Sequence, residues 1–206
     1  MMPAPGGSSK CAARPAPAAI LPAPRPRGKR FATPRGTPAR PRLDARAAVG
    51  QGLAEGTSLV PCAATEQTAW RYTTDPPADA WAAPGFDDSG WKEGKAGFGA
   101  LGWGAKIGTP WTTGDIWLRR RFTLAERPAA PLLRIFHDED VEVYLNGVLA
   151  CRDGGFQTGY DDFEIEARAA ATLKVGENTI AVHCRQTAGG QFIDVGLIDA
   201  PPAPDK

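Results

Sequence analysis

The chain has 206 residues, a formal net charge of +1, six tryptophans and four cysteines. Nothing approaches the roughly 20 consecutive apolar residues that a membrane-spanning helix needs, and the apolar run at Ala18–Leu21 is too short for a secretory signal. We therefore expect a soluble protein without a membrane partner, from a compartment that stays open and includes the periplasm and the extracellular space.

The near-neutral charge conceals an uneven distribution. Residues 1–60 hold ten Lys or Arg against Asp44 and Glu55, which is about +8, so the remainder carries about −7. This first stretch is rich in Pro, Ala and Arg and has few aromatic or β-branched residues to bury. We expect residues 1–64 to form a disordered basic arm with no specific nucleic-acid partner. A single β-rich domain is predicted for residues 65–199, and a disordered tail for residues 200–206.

The first strand of the domain is predicted at Ala69–Thr74. Residues 84–114 contain many glycines and few periodic apolar residues, which predicts a long surface loop. Strands are predicted again at Asp115–Leu124 and Leu132–Phe136. In the first of these, Ile116, Leu118, Phe122 and Leu124 share one face, and Arg120 interrupts that face.

Asn146-Gly147 between two apolar segments is the strongest hairpin signal in the chain, because a type I′ turn needs positive φ at both central residues. Further strands are predicted around Phe163, Ile165 and Ala167, and at Thr179–Cys184 and Phe192–Ile198. The only hint of a helical period falls near residues 167–173. Many short strands punctuated by turns predict an all-β fold, an antiparallel β-sandwich of the jelly-roll type.

The cysteines leave two readings open. Cys151 and Cys184 lie on predicted strands, so they are either a disulfide or two buried thiols. No Cys-x-x-Cys spacing indicates zinc, and His183 and Cys184 point to opposite faces of one strand. No cofactor is predicted. A structural calcium ion at residues 137–140 stays open, although their spacing matches no calcium motif.

Several sequence blocks, in this order, resemble the sugar-binding jelly-roll domain of family 2 glycoside hydrolases and bacterial β-galactosidases. They are Phe86–Trp91 (FDDSGW), Gly97–Gly99, Asp115–Arg120, Val143–Gly147 and Asn178–Ala181. The resemblance covers about residues 66–199 and implies a galactose-binding-like fold. We expect Asp87, Asp88, Trp91, Asn146 and Asn178 to be structural, with the two aspartates capping backbone N–H groups of their own turn.

No catalytic constellation is evident in the sequence. The acidic residues have no distinguishing context, and the catalytic barrel of the hydrolases resembled needs about 250 residues. We therefore expect a non-catalytic module that binds carbohydrate or accompanies a neighbouring hydrolase domain. A structural or protein-interaction module is the alternative, and a hydrolase acting on glycosides is the third reading.

A sugar site needs an exposed aromatic platform and a few oriented polar groups. Two tryptophans of the glycine-rich loop are candidates for the platform, unless they merely pack that loop onto the sandwich. The other candidates are polar residues of neighbouring segments. The complete predicted set is Trp103, Trp111, Asp138, Asp140, Arg152, Tyr160 and Gln191.

Overall fold

The computed structural model describes residues 53–101 and 104–200. Most of the predicted basic arm, the tail from residue 201 and Trp103 therefore lie outside the described residues. Within the described part, none of the helices is long and apolar enough to traverse a membrane.

Two six-stranded sheets form the domain. The first contains β1 (Thr57–Val60), β4 (Phe98–Leu101), β5 (Thr109–Pro110), β7 (Pro131–His137), β10 (Asp161–Glu164) and β12 (Gln191–Asp199). The second contains β2 (Ala69–Thr73), β3 (Lys92–Lys95), β6 (Asp115–Leu124), β8 (Asp140–Leu145), β9 (Val148–Asp153) and β11 (Gly176–Arg185). A short helix, α1 (Ala167–Ala170), follows β10.

Strand pairing is antiparallel except between β4 and β5. The first sheet runs β10-β7-β12-β4-β5, and β1 pairs with the C-terminal half of β12. The second sheet runs β3-β2-β6-β11-β8-β9. Apolar side chains from both sheets form one continuous buried cluster. The predicted antiparallel β-sandwich is confirmed.

Side chains along the first strand of the central hairpin alternate between the core and the outer face. Val141, Val143 and Leu145 are fully buried in the core, whereas Glu142 and Tyr144 are half-buried on the other face of β8. At the turn, Asn146 has φ +47° and Gly147 has φ +83°, as a type I′ turn requires. The hairpin prediction is confirmed.

Asn178 and Asn146 hydrogen-bond to each other and to the backbone, and so connect the Asn146-Gly147 turn to β11. The Asn178 amide donates to the carbonyls of Lys174 and Gly176, and its oxygen accepts from the Asn146 amide at 2.9 Å. Asn146 Oδ1 in turn accepts the Thr179 backbone N–H at 2.8 Å. Both asparagines therefore have the structural roles expected of them.

The glycine-rich stretch 84–114 differs from the predicted surface loop, because it contains β3, β4 and β5. Its glycines allow backbones to approach each other. A Cβ at Gly99 would collide with the carbonyl oxygen of Gln191 on β12, and one at Gly108 would collide with that of Ala96. Gly97, with φ +84°, makes the turn between β3 and β4. Here glycine serves close packing, which local composition cannot distinguish from a loop.

The predicted start of the domain at residue 65 is too late. β1 pairs with β12, and the Ala63 backbone N–H donates to Asp194 at 2.7 Å. Cys62, expected in or beside the arm, is buried. Arg134 and Asp162 hold the preceding segment, because both bond the backbone of Ala54. The sandwich therefore includes residues that composition alone assigned to the arm.

The end of β10 and the state of two cysteines are also resolved by the structure. The strand expected through Phe163, Ile165 and Ala167 ends at Glu164, and Ala167 begins α1 instead. Cys151 and Cys184 are buried free thiols rather than a disulfide. Burial raises the pKa of Cys151 to about 12 and that of Cys184 well above its usual value.

Candidate functional site

The predicted aromatic platform is not available at Trp111. This side chain is 2% exposed, and its indole N–H donates to the Thr113 hydroxyl and the Asp115 carbonyl. The prediction of an exposed platform is wrong for Trp111, which packs its segment onto the core as the alternative reading held. Trp103 lies outside the described residues, so its role stays a prediction.

Asp138, Asp140 and Gln191 lie at the same end of the sandwich, where β7 ends and β8 and β12 begin. Asp138 is 3% exposed, and burial, followed by the charge of Glu139, raises the pKa of its carboxyl. Gln191 is also buried and donates to the Thr113 carbonyl at 2.6 Å. Of these three predicted contacts, only Asp140 is exposed.

Arg152 and Tyr160 lie on the outer faces of different sheets. Arg152, on β9 of the second sheet, forms an ion pair with Glu142. Tyr160 covers the first sheet, where its hydroxyl donates to Asp194 at 2.8 Å and its ring contacts Phe136. The predicted site residues are thus distributed over three regions, and the described ones do not converge on one site.

Asp194 is the most unusual carboxylate near these residues. It is 2% exposed and accepts hydrogen bonds from the backbone of Ala63 and Gly97 and from the Tyr160 hydroxyl. Burial raises the pKa of Asp194 to about 6 despite these donors. All of its partners are structural, so Asp194 joins three segments of the outer layer.

A groove of about 440 Å³ lies on the second sheet, on the side of β2 and β3. We call it the arginine groove. Four arginines line it together with Ala69, Trp70, Glu93 and the turn 87–89; the arginines are Arg71, Arg119, Arg120 and Arg121. The side chains of Arg71, Arg119 and Arg121 converge on one concave surface, unlike the residues predicted from sequence, which makes the groove the best candidate site in the described residues.

Strand alternation explains why these arginines meet. Arg119 and Arg121 are two residues apart on β6, so they emerge on the same face. Arg71 lies directly opposite Arg119 on the neighbouring strand β2. Arg120 points to the other face, where its guanidinium bonds the Thr68 hydroxyl.

Arg119 is fixed at the base of the groove. Its side chain is fully buried, Nε donates to Asp88 Oδ2 at 2.8 Å, and Nη2 donates to the Ala83 carbonyl at 3.1 Å. The Trp81 carbonyl accepts a further bond, and the guanidinium lies 5.3 Å from the Phe86 ring centroid. Asp88 therefore ion-pairs with Arg119 across 31 residues of sequence, and the prediction that it caps its own turn is wrong.

Asp87 does cap the turn as predicted. Its Oδ1 accepts the Ser89 backbone N–H at 3.0 Å. Hydrogen bonds from the Ser89 backbone and hydroxyl, together with the charge of Arg121, lower the pKa of Asp87. Asp87 and Ser89 are both exposed. The turn thus presents a carboxylate and a hydroxyl to the rim of the groove.

Arg71 and Arg121 have unused hydrogen-bonding capacity. The Arg121 side chain is 50% exposed, and its nearest anionic contact is Asp88 Oδ1 at 3.8 Å. Arg71 is 44% exposed, donates one bond to the Trp91 carbonyl at 3.3 Å and lies 3.9 Å from Glu93. A guanidinium has five N–H donors, so both groups can bind a ligand without breaking a short ion pair.

The sequence contained a partial signal for this groove. Three consecutive arginines on a strand must place two of them on one face, and that was visible in Asp115–Leu124. The pairing of β2 with β6, which adds Arg71 to the groove, was not visible in the sequence. Among the described residues no group of three or more His, Cys, Asp or Glu side chains is arranged to hold a metal ion, so the calcium alternative gains no support.

Comparisons with known proteins give structural neighbours only. No family model and no curated protein matches the chain. A β-glucuronidase from Bacteroides uniformis matches with a TM-score of 0.50 and 19% identity, over 70% of this chain and 18% of that one. A β-glucuronidase from Ruminococcus gnavus, in complex with D-glucaro-d-lactam, matches with a TM-score of 0.49 and 15% identity, over 75% and 30% of the two chains.

A third neighbour is described as a β-glucuronidase from glycoside hydrolase family 2, with a TM-score of 0.46 and 18% identity. The match covers 73% of this chain and 18% of that one. Similarity at these identities is one of fold. The chain spans 18% to 30% of the length of these three hydrolases. The similarity of its sandwich to a part of the Bacteroides uniformis enzyme supports the predicted resemblance at the level of the fold.

Proposed function

We propose that this protein is a non-catalytic, carbohydrate-associated β-sandwich module that binds saccharides, either alone or as the accessory domain of a glycoside hydrolase. One observation carries the proposal: the fold is similar to that of the Bacteroides uniformis β-glucuronidase, over 70% of this chain but only 18% of the enzyme. A match of that extent fits one accessory module of a larger carbohydrate-active protein.

The chemistry of the described carboxylates supports a role without bond cleavage. Glycoside hydrolysis by the common route needs two carboxyl groups facing one scissile bond. Two of the three buried carboxylates among the described residues, Asp88 and Asp194, are engaged in structural contacts with Arg119 and with backbone N–H groups. Asp162 is similarly paired with Arg134 at 2.8 Å. Polar contacts to a bound saccharide remain available in the arginine groove.

A structural or protein-interaction module is the second candidate. The burial of Trp111 favours it, because a stacking platform is the usual mark of a sugar site and this one serves the core. In that case the same fold would support a neighbouring domain without contacting a saccharide.

Affinity electrophoresis of the full chain through gels containing neutral and acidic polysaccharides tests the proposal. We expect slowed migration in at least one gel relative to a non-binding reference protein, and no release of sugar from nitrophenyl glycosides. Migration unchanged in every gel would favour the second candidate, and measurable turnover would favour a hydrolase. Trp103→Ala tests the remaining aromatic prediction: reduced retention of a folded variant would support a contact at Trp103.

A further inference from the structure

We propose that the arginine groove binds the anionic group of an acidic saccharide, a carboxylate or a sulfate ester, between Arg71 and Arg121. This inference rests on the proposed carbohydrate-binding function and specifies its ligand class.

The register creates the space for a ligand. The paired residues of β2 and β6 end at Arg71 and Arg119. Continuing that register by two residues brings Ala69, which also lines the groove, opposite Arg121. The alanine side chain is short, so it leaves room between two long cationic neighbours on adjacent strands. The turn 87–89 lines the groove above them. A ligand group entering there meets guanidinium groups from two strands.

The base of the groove is held rigidly before any ligand arrives. Arg119 is fully buried, and its donors are used by Asp88 and by the carbonyls of Trp81 and Ala83. Asp88 forms its hydrogen-bonded ion pair with Arg119 at 2.8 Å and only a longer ion pair, at 3.8 Å, with Arg121. Because the floor of the groove is already formed, binding requires less loss of side-chain conformational entropy.

The cations at the rim are only weakly neutralised by the protein. The contact between Arg71 and Glu93 spans 3.9 Å between two exposed groups, and such surface pairs contribute little. Like charges on neighbouring strands also repel, since Arg71, Arg119 and Arg121 share one face of the sheet. An anion placed between Arg71 and Arg121 would relieve that repulsion and use their free donors, because guanidinium groups pair well with carboxylates and sulfates.

The remaining lining groups fit hydroxyl groups rather than a second anion. Asp87 is held ionised by Ser89 and Arg121, and it can accept hydrogen bonds from sugar hydroxyls. The Ser89 hydroxyl can donate or accept. A ligand that combines one negative charge with several hydroxyl groups matches this combination, and an acidic saccharide is such a ligand. A strongly acidic peptide would instead be repelled by Asp87 and Glu93.

Calorimetric titration of the full chain with three matched trisaccharides tests the proposal. They are the neutral galactotriose, the same trisaccharide with one residue oxidised to galacturonate, and galactotriose carrying one sulfate ester, so that each anionic ligand carries a single negative charge. We expect at least one anionic ligand to bind about tenfold more tightly than the neutral one, because hydrogen bonds between charged groups are stronger than those between neutral groups. Whether the carboxylate or the sulfate binds more tightly identifies the natural anion. The preference should weaken as salt is added.

Three variants locate the site. Arg121→Gln is expected to lower the affinity for the anionic ligand about tenfold, and by a larger factor than it lowers the affinity for galactotriose. Asp87→Asn keeps the acceptor for the Ser89 N–H and removes a negative charge, so it should tighten anion binding by about threefold. Arg168→Gln is the matched control: it removes an exposed arginine from α1, which packs beside β9 at the opposite edge of the second sheet.

The outcomes separate this inference from the function on which it rests. Equal affinity for neutral and anionic ligands would overturn the acidic-saccharide inference and leave carbohydrate binding intact. Binding of no saccharide would overturn both. An oligo-aspartate peptide that binds as tightly as the anionic sugars would also overturn it, in favour of a protein partner. Loss of anion binding in Arg168→Gln equal to that in Arg121→Gln would place the site elsewhere.

Discussion

Asp194 is a single buried side chain that joins distant segments of the chain. Its contribution to the free energy of unfolding depends on pH. It connects residues near Ala63, Gly97 and Tyr160, which approach each other only in the folded chain. Its neighbourhood is so depleted of water that the pKa of the carboxyl rises from 3.8 to about 6. The folded state therefore binds the proton more tightly than the unfolded state does.

This shift predicts a measurable pH dependence. The stabilisation from protonated Asp194 is fully present below about pH 4 and is lost as the pH rises through about 6. The free energy of unfolding of the parent, relative to that of Asp194→Asn, should therefore fall by about 3 kcal/mol between pH 4 and pH 7. Urea unfolding followed by tryptophan fluorescence measures this difference at each pH.

The control for that measurement is the exposed Asp79, whose carboxylate loses little solvent on folding. Asp79→Asn should show no comparable slope. A difference between the parent and Asp194→Asn that stays constant from pH 4 to pH 7 would contradict the raised pKa, even if the variant is less stable at every pH.

Among the strands, β6, β8 and β11 could be predicted from sequence because alternation is a local property. Val141, Val143 and Leu145 are core residues in sequence and structure alike, and Asn146-Gly147 indicated its turn directly. The short strands β3, β4 and β5 could not be predicted in this way. Their glycines are required by contacts with β12 and with neighbouring backbone, and such contacts depend on residues distant in sequence.

Gly99 on β4 gives a direct test of this explanation. A Cβ there would overlap the Gln191 carbonyl oxygen, and backbone cannot move away as easily as a flexible side chain. Gly99→Ala is therefore expected to lower the free energy of unfolding by about 1–3 kcal/mol. Gly85→Ala is the matched control from the same glycine-rich stretch, since a Cβ at Gly85 has no atom within 4 Å.

Chemical denaturation of both alanine variants measures the effect. The Gly85 variant should remain within about 0.5 kcal/mol of the parent. Equal stability of the two variants would contradict the requirement for close packing at Gly99.

For the molecule as a whole, the sequence predicted the sandwich and its likeness to a hydrolase module, but not the candidate site. The residues proposed from sequence lie in separate regions because proximity along the chain does not give proximity across two sheets. The arginine groove depends on the register of β2 against β6 and on the ion pair between Asp88 and Arg119. Neither contact leaves a local pattern, although the alternation of Arg119 and Arg121 is visible once the strand is known.

The central claim is that this sandwich binds an acidic saccharide in the arginine groove and leaves it intact. Amide and guanidinium NMR spectra of the labelled full chain, recorded during titration with trigalacturonate, test it most directly. We predict shifts concentrated at residues 69–71, 87–93 and 119–121, with no new reducing-end signals from the sugar. Shifts centred on Asp138, Asp140 and Gln191, or the appearance of cleaved sugar, would contradict the account.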